Sequence, residues 1–128
     1  MSTPVTYPRA ANTPVSHLPF SPAVRVGDVV YVSGQASVDA TGKIVSDTFE
    51  GEFRRSIENM RLVLQAAGCD LQDVVQTRNY VREAADVPRY NELYREYFSA
   101  PFPARTTITN CLPPTLKYEV ECVAVAKT

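Results

Sequence analysis

The sequence holds a single histidine, no tryptophan, three cysteines and five glycines among its 128 residues. The lone His17 sits among prolines near the start, so neither a histidine-based triad nor a multi-histidine metal site is available. The glycines are scattered through turns and form none of the phosphate-loop or dinucleotide fingerprints, which argues against a nucleotide-dependent enzyme. Cys69, Cys111 and Cys122 are widely spaced, with no CxxC pair and no adjoining histidine. They suggest neither a zinc site nor a disulfide framework, and reduced thiols in a cytoplasm fit best. No run approaches the ~18 apolar residues of a membrane helix, and residues 1–17 lack the apolar core of a signal peptide. A soluble cytoplasmic protein without a membrane partner is therefore expected. An excess of either charge is also missing: 13 basic and 14 acidic residues nearly cancel, the formal net charge of −1 offers nucleic acid no electrostatic footing, and no nucleic-acid partner is expected.

What is present reads as one domain over residues 1–128, with 45% hydrophobic and 21% charged residues. Pro4, Pro8, Pro14 and Pro19, with Pro22 just beyond, mark residues 1–19 as an extended arm. Val24-Arg25-Val26, a Gly27-Asp28 turn and the β-branched run Val29 to Ser33 predict a hairpin, which Gly34 and Gln35 are expected to end. A further turn at Asp39 to Gly42 separates Ala36-Ser37-Val38 from Lys43-Ile44-Val45. From Asp47 the period changes. Phe49, Phe53, Ile57, Met60, Leu64 and Ala67 line up one helical face, with Asp47 and Glu50 as the expected capping box and Gly68 as the stop. Val74 to Val81 predicts a strand, and Asp86 is expected to cap a second helix carrying Pro88 in its first turn. Ala104 to Thr109 and Tyr118 to Ala126 predict the last strands, the latter alternating Tyr118, Val120, Cys122 and Ala124 with Glu119, Glu121, Val123 and Val125. The pattern is α+β, with both helices on one face of the sheet. The apolar residues on the other face predict a covering copy of the same chain.

Chemistry concentrates around Pro101-Phe102-Pro103-Ala104-Arg105-Thr106. The prolines fix φ and push Ala100 and Phe102 into extended conformations, so Arg105 is delivered by a stiff approach. Its planar fork matches a carboxylate or phosphate bidentately, although an ordinary strand-end arginine fits the same spacing. Ser33, Gln35, Thr107 and Glu119 stand at predicted strand edges, and Asn91 on the second predicted helix. Within its apolar strand, Glu119 reads equally as an arginine's partner, as a base with a pKa raised by loss of water, or as a solvent-facing carboxylate.

Several of these stretches, in order, resemble the RidA (YjgF) family of enamine and imine deaminases. They are Ser21 to Asp28 with Val32-Ser33-Gly34-Gln35, Asn59 to Gly68 with Asp73 to Thr77, Tyr90 to Tyr94 through Phe98, Phe102 to Thr106, and Lys117 to Glu121 with Val123-Ala124-Val125. The resemblance implies a chorismate-mutase-like fold, a mixed sheet with two helices on one face, trimeric around a central barrel, with sites between subunits. It implies cofactor-free and metal-free hydrolysis of 2-aminoacrylate-type enamines or 2-imino acids to 2-keto acids and ammonia. Carried over, Arg105 and Glu119 are the catalytic residues, one gripping the substrate carboxylate and the other orienting water, while Phe20, Ser33, Asn91 and Thr107 line the site. Phe20 stands where deaminase members commonly have tyrosine, and it lacks the hydroxyl that would hydrogen-bond the substrate. That departure keeps two alternatives in view: a non-catalytic sensor or chaperone for small carboxylates, and a deaminase for another substrate such as 2-aminomuconate.

Overall fold

The alternation over 118–125 becomes the strand on which the sheet is built. In the computed structural model, which describes residues 2–127, the strands are β1 (Val5–Thr6), β2 (Ala23–Val26), β3 (Val29–Ala36), β4 (Val74–Val81), β5 (Ala104–Thr109) and β6 (Tyr118–Val125). The helices are α1 (Phe49–Ala66) and α2 (Val87–Tyr97). The sheet runs β1-β2-β3-β6-β4-β5, with β6 antiparallel to both neighbours and β4 parallel to β5. It is thus an α+β fold, as the sequence pattern predicts, with the mixed sheet that the family resemblance implies.

Both helices cover one face. Tyr118, Val120, Cys122 and Ala124 of β6 are buried beneath them, and the stripe Phe53, Ile57, Met60, Val63 and Leu64 of α1 has no exposed surface at all. Burial of each such side chain contributes about 2 kcal/mol. Phe53 packs against Tyr90 of α2 and Tyr118 of β6, ring centroids 6.1 and 4.6 Å apart, which ties the two helices and the sheet into one core.

Four local expectations need correcting. The arm is not free of regular structure: Val5 and Thr6 pair with Val26 and Arg25. Nor do Gly34 and Gln35 end the hairpin, because β3 absorbs them through a register shift against β6 and continues to Ala36. The N-cap of α1 is Thr48, whose hydroxyl accepts from Gly51 N at 3.1 Å. Asp47, one residue earlier, accepts from Thr48 N at 2.7 Å and faces Arg55. Asp86 occupies the cap position of α2, but its side chain makes no capping bond, a single turn of 3₁₀ helix over Ala84–Asp86 leading into the helix instead. The stop at Gly68 is as predicted, with a left-handed φ of 83° and the Cys69 N–H reaching back to Leu64 O at 2.9 Å.

The uncovered face is partly apolar: Tyr31, Ile108 and Val125 are each more than 40% exposed there. Among the described residues, no helix is long and apolar enough to cross a membrane.

Candidate active site

Residues 99–103 carry the chain from α2 into β5 without regular structure, and Arg105 is the second residue of the strand. Its guanidinium carbon lies 4.9 Å from the ring centroids of both Tyr90 and Tyr94, so the cation rests on two aromatic faces supplied by α2. Hydrogen bonds lock the rings from behind. The Tyr90 hydroxyl bonds the Thr107 hydroxyl at 2.8 Å, and the Tyr94 hydroxyl bonds that of Thr77 at 2.7 Å. Thr77 accepts from the amide of buried Asn79, whose oxygen in turn accepts from the Tyr118 hydroxyl at 2.6 Å. Burial pushes the Tyr90 phenol up to about 12, so it stays a neutral ring under the cation at physiological pH. Among the described residues Arg105 takes part in no ion pair, which leaves its donors for a ligand. It faces a cleft of about 230 Å³ walled by Asn91, Tyr94, Arg95, Phe102 and Pro103.

Glu119 occupies a different place. It is opposite Ala36 on β3 and Tyr80 on β4, and lines a cleft of about 400 Å³ with Gly34, Tyr80, Ile108, Cys111, Pro113 and Glu121. The carboxylate lies over Gly34: a Cβ added there would stand 2.4 Å from Glu119 Oε1, so only glycine leaves it room. Burial first, and then the charge of Glu121, hold the Glu119 carboxyl above the usual carboxylate range. Glu121 is itself engaged by the Tyr80 hydroxyl, which donates to it; that bond, before burial, pushes the Tyr80 phenol up to about 12. Asn110 and the residues after it, which form the outer wall, are held by Arg82: its guanidinium donates to Pro114 O, and Asn110 N donates to Arg82 O at 3.2 Å.

A single chain therefore does not bring Arg105 and Glu119 together. Arg105 and Thr107 point to the helix-covered face of the sheet, while Glu119 and Glu121 alternate with the buried residues of β6 and point to the uncovered face. A shared site requires a second copy of the chain.

A family model described as endoribonuclease L-PSP matches residues 10–126. The chain belongs to this family, the RidA family. It is 43% identical over 108 residues to a RutC family protein of Saccharolobus solfataricus, covering 83% of this chain and 86% of that one. To the 2-iminobutanoate/2-iminopropanoate deaminase of Homo sapiens it is 37% identical over 117 residues, 90% of this chain and 85% of the relative. Among solved structures, E. coli TdcF with bound serine matches with a TM-score of 0.84 at 28% identity, covering 95% of this chain and 99% of that one.

Within this RidA fold the other residues singled out from the sequence are dispersed. Asn91 shares the cleft of Arg105. Thr107 gives its hydroxyl to Tyr90. Ser33 donates its hydroxyl to Ser21 O at 2.6 Å, pinning the arm to β3 beside Gly34, and Gln35 is buried with its amide on Ser33 O. Phe20 is exposed on the arm and lines neither cleft. Sequence reasoning missed the supporting residues. Tyr90 and Tyr94 read as an apolar stripe because their spacing of four is that of a core face. Glu52, fully buried, accepts from Lys117 N at 2.9 Å and from Lys117 Nζ at 3.2 Å, fixing the start of β6 just before Glu119. A glutamate on the packed face of a helix was the available signal.

Proposed function

We propose that the chain is a cofactor-independent imine and enamine deaminase. It hydrolyses 2-aminoacrylate-type enamines, or their 2-imino acid tautomers, to 2-keto acids and ammonia, and acts as a homotrimer with sites at the seams between subunits. The observation that carries this reading is Arg105: a guanidinium with no ion pair among the described residues, seated on two tyrosine rings and opening into a cleft, suits a small carboxylate. The named activity of the human relative, a 2-iminobutanoate/2-iminopropanoate deaminase, points the same way.

An iminium carbon is already electrophilic, so the protein has to supply position and a directed water and little more. Arg105 grips the carboxylate beside the C=N bond. Glu119 of a neighbouring copy orients water and takes one proton as the oxygen adds to carbon; it then returns that proton to nitrogen, and the C–N bond breaks with loss of ammonia as the carbinol O–H gives up its proton to Glu119 and becomes the keto oxygen. The separation of Arg105 and Glu119 on opposite faces supports a composite site, and the exposed Tyr31, Ile108 and Val125 are suited to burial against another copy. Closure as a trimer rests on the family resemblance. An exposed free thiol at Cys111 suits a reducing cytoplasm, and the net charge of −1 favours a small acid over nucleic acid as the partner.

The test is ammonia release from a 2-imino acid generated in situ by an amino-acid oxidase. Arg105→Ala is expected to abolish the acceleration, and Arg105→Lys to restore little of it, because a point charge replaces a fork. Full activity in Arg105→Ala contradicts the reading. Saturable 2-keto acid binding without any ammonia release identifies a sensor of small carboxylates instead.

A further inference from the structure

The cleft of Arg105 contains a second guanidinium. Arg95 lines it together with Asn91, Tyr94, Phe102 and Pro103. Arg95 stands in the last turn of α2, where a cation is favoured by the helix dipole, but among the described residues its guanidinium makes a single, long hydrogen bond, from Nη1 to Asn91 O at 3.4 Å. Among the described residues, neither Arg95 nor Arg105 has a carboxylate within ion-pair distance.

Arg25, Arg54, Arg55, Arg61, Arg82 and Arg89 each hold an acidic side chain. Among the arginines that hold none, Arg95 and Arg105 share one cleft. The glutamates nearest to Arg95 in sequence are turned to other partners: Glu96 to Arg54 at 3.1 Å, and Glu92 toward Arg89 at 3.9 Å. The acids of α2 are thus engaged along the α1 side and on its outer surface, and the cleft keeps two positive charges with no internal counter-charge. Like charges sharing a recess repel, and the arrangement gains most when anionic groups fill it. One carboxylate satisfies Arg105. Arg95 is left for another.

We infer that the site is built for 2-imino acids carrying a second carboxylate, and for the matching 2-oxo dicarboxylic acids, with Arg105 on the carboxylate beside the reacting carbon and Arg95 on the distal one. The inference rests on the reading that Arg105 grips that first carboxylate, and it assigns Arg95 the choice of substrate. On one chain the cleft measures about 230 Å³, room for a short acid before a second copy completes the site. Phe102, 49% exposed, and Pro103 supply the apolar wall for its methylenes.

The experiment compares 2-oxoglutarate with 2-oxopentanoate, the same chain with a methyl in place of the distal carboxylate, titrated calorimetrically onto the assembled protein. Because Arg95 is exposed, the distal pair is expected to give roughly five-fold tighter binding of 2-oxoglutarate at low salt, an advantage that shrinks at high salt. Arg95→Gln brings the two affinities together, and Arg95→Glu makes 2-oxoglutarate the weaker ligand; both change an exposed helix position, and thermal melts confirm that they fold. Equal affinities in the unaltered protein, or a preference that survives Arg95→Gln, overturn the inference while leaving the role of Arg105 intact. Arg105→Ala is expected to lose both ligands. If it keeps both, the reading of Arg105 falls, and this inference with it.

Discussion

Under the roles proposed for Glu119 and Arg105, Gly34→Ala is expected to separate chemistry from binding with a single methyl group. Gly34 has no left-handed φ, so alanine fits the backbone without strain. Its Cβ would lie 2.4 Å from Glu119 Oε1, short by 1.0 Å of the 3.4 Å at which ordinary contact begins. The obstructing atom is the far end of a flexible side chain, so the fold tolerates the change and Glu119 gives way by about an ångström. Displacement of a catalytic group on that scale costs up to about a hundredfold in rate. The carboxylate clamp at Arg105 is untouched, so the loss is expected in kcat, with KM for the imino acid held within about twofold. Stability is expected to hold or to rise by about 0.5 kcal/mol, since alanine orders a strand at a lower entropic cost than glycine. Ammonia release measured over a range of oxidase-generated imine, beside a thermal melt, reads all of these quantities. Unchanged kcat in a well-folded Gly34→Ala protein refutes the assignment of Glu119 as the group that handles water.

Further expectations concern charge. A base that must be ionised loses activity as pH falls through its pKa, and because burial and Glu121 raise that of Glu119, the acid limb of the rate profile should stand above the ordinary carboxylate range. Glu121→Gln removes the second cause and is expected to move the limb to lower pH without restoring an ordinary value, burial being unchanged; a limb that stays in place or rises contradicts this. The same raised pKa makes the Glu119 contribution to folding most favourable below its unfolded value, with loss as pH rises through the folded one. Glu52→Ala leaves Lys117 and the Asp47 N–H without their buried acceptor and is expected to cost about 3 kcal/mol in urea unfolding at fixed protein concentration. A loss below about 1 kcal/mol, the range of an exposed pair, shows that Glu52 is not a keystone of the β6 start.

The elements with a strong period were legible in the sequence. Phe49 to Ala67 announces one helical face, the alternation over 118–125 announces β6, and the proline turn announces the delivery of Arg105. What escaped depended on partners distant in the chain. Gly34 reads as a terminator because nothing local reveals that Glu119 lies over it, and β3 passes through it at a bulge. Asp47 and Thr48 are both good caps; Thr48 takes the cap while Asp47 faces Arg55, which lies more than a helix turn away. Tyr90 and Tyr94 stand four residues apart, the spacing of a buried helical face, yet such spacing does not report that their ring faces carry a cation. The face to which Arg105 points relative to Glu119 depends on the pairing of β4 with β5 and β6, so parity within each strand leaves their relation open.

Mixed assemblies test the central claim most directly. Arg105→Ala and Glu119→Gln proteins, each inactive alone, are unfolded together, refolded as a mixture and assayed for ammonia release. If each site joins Arg105 of one subunit to Glu119 of the next, random reassembly restores about a quarter of the unaltered activity, because one neighbouring pair in four then carries both groups intact. A mixture as inactive as its parents contradicts a site built across the seam.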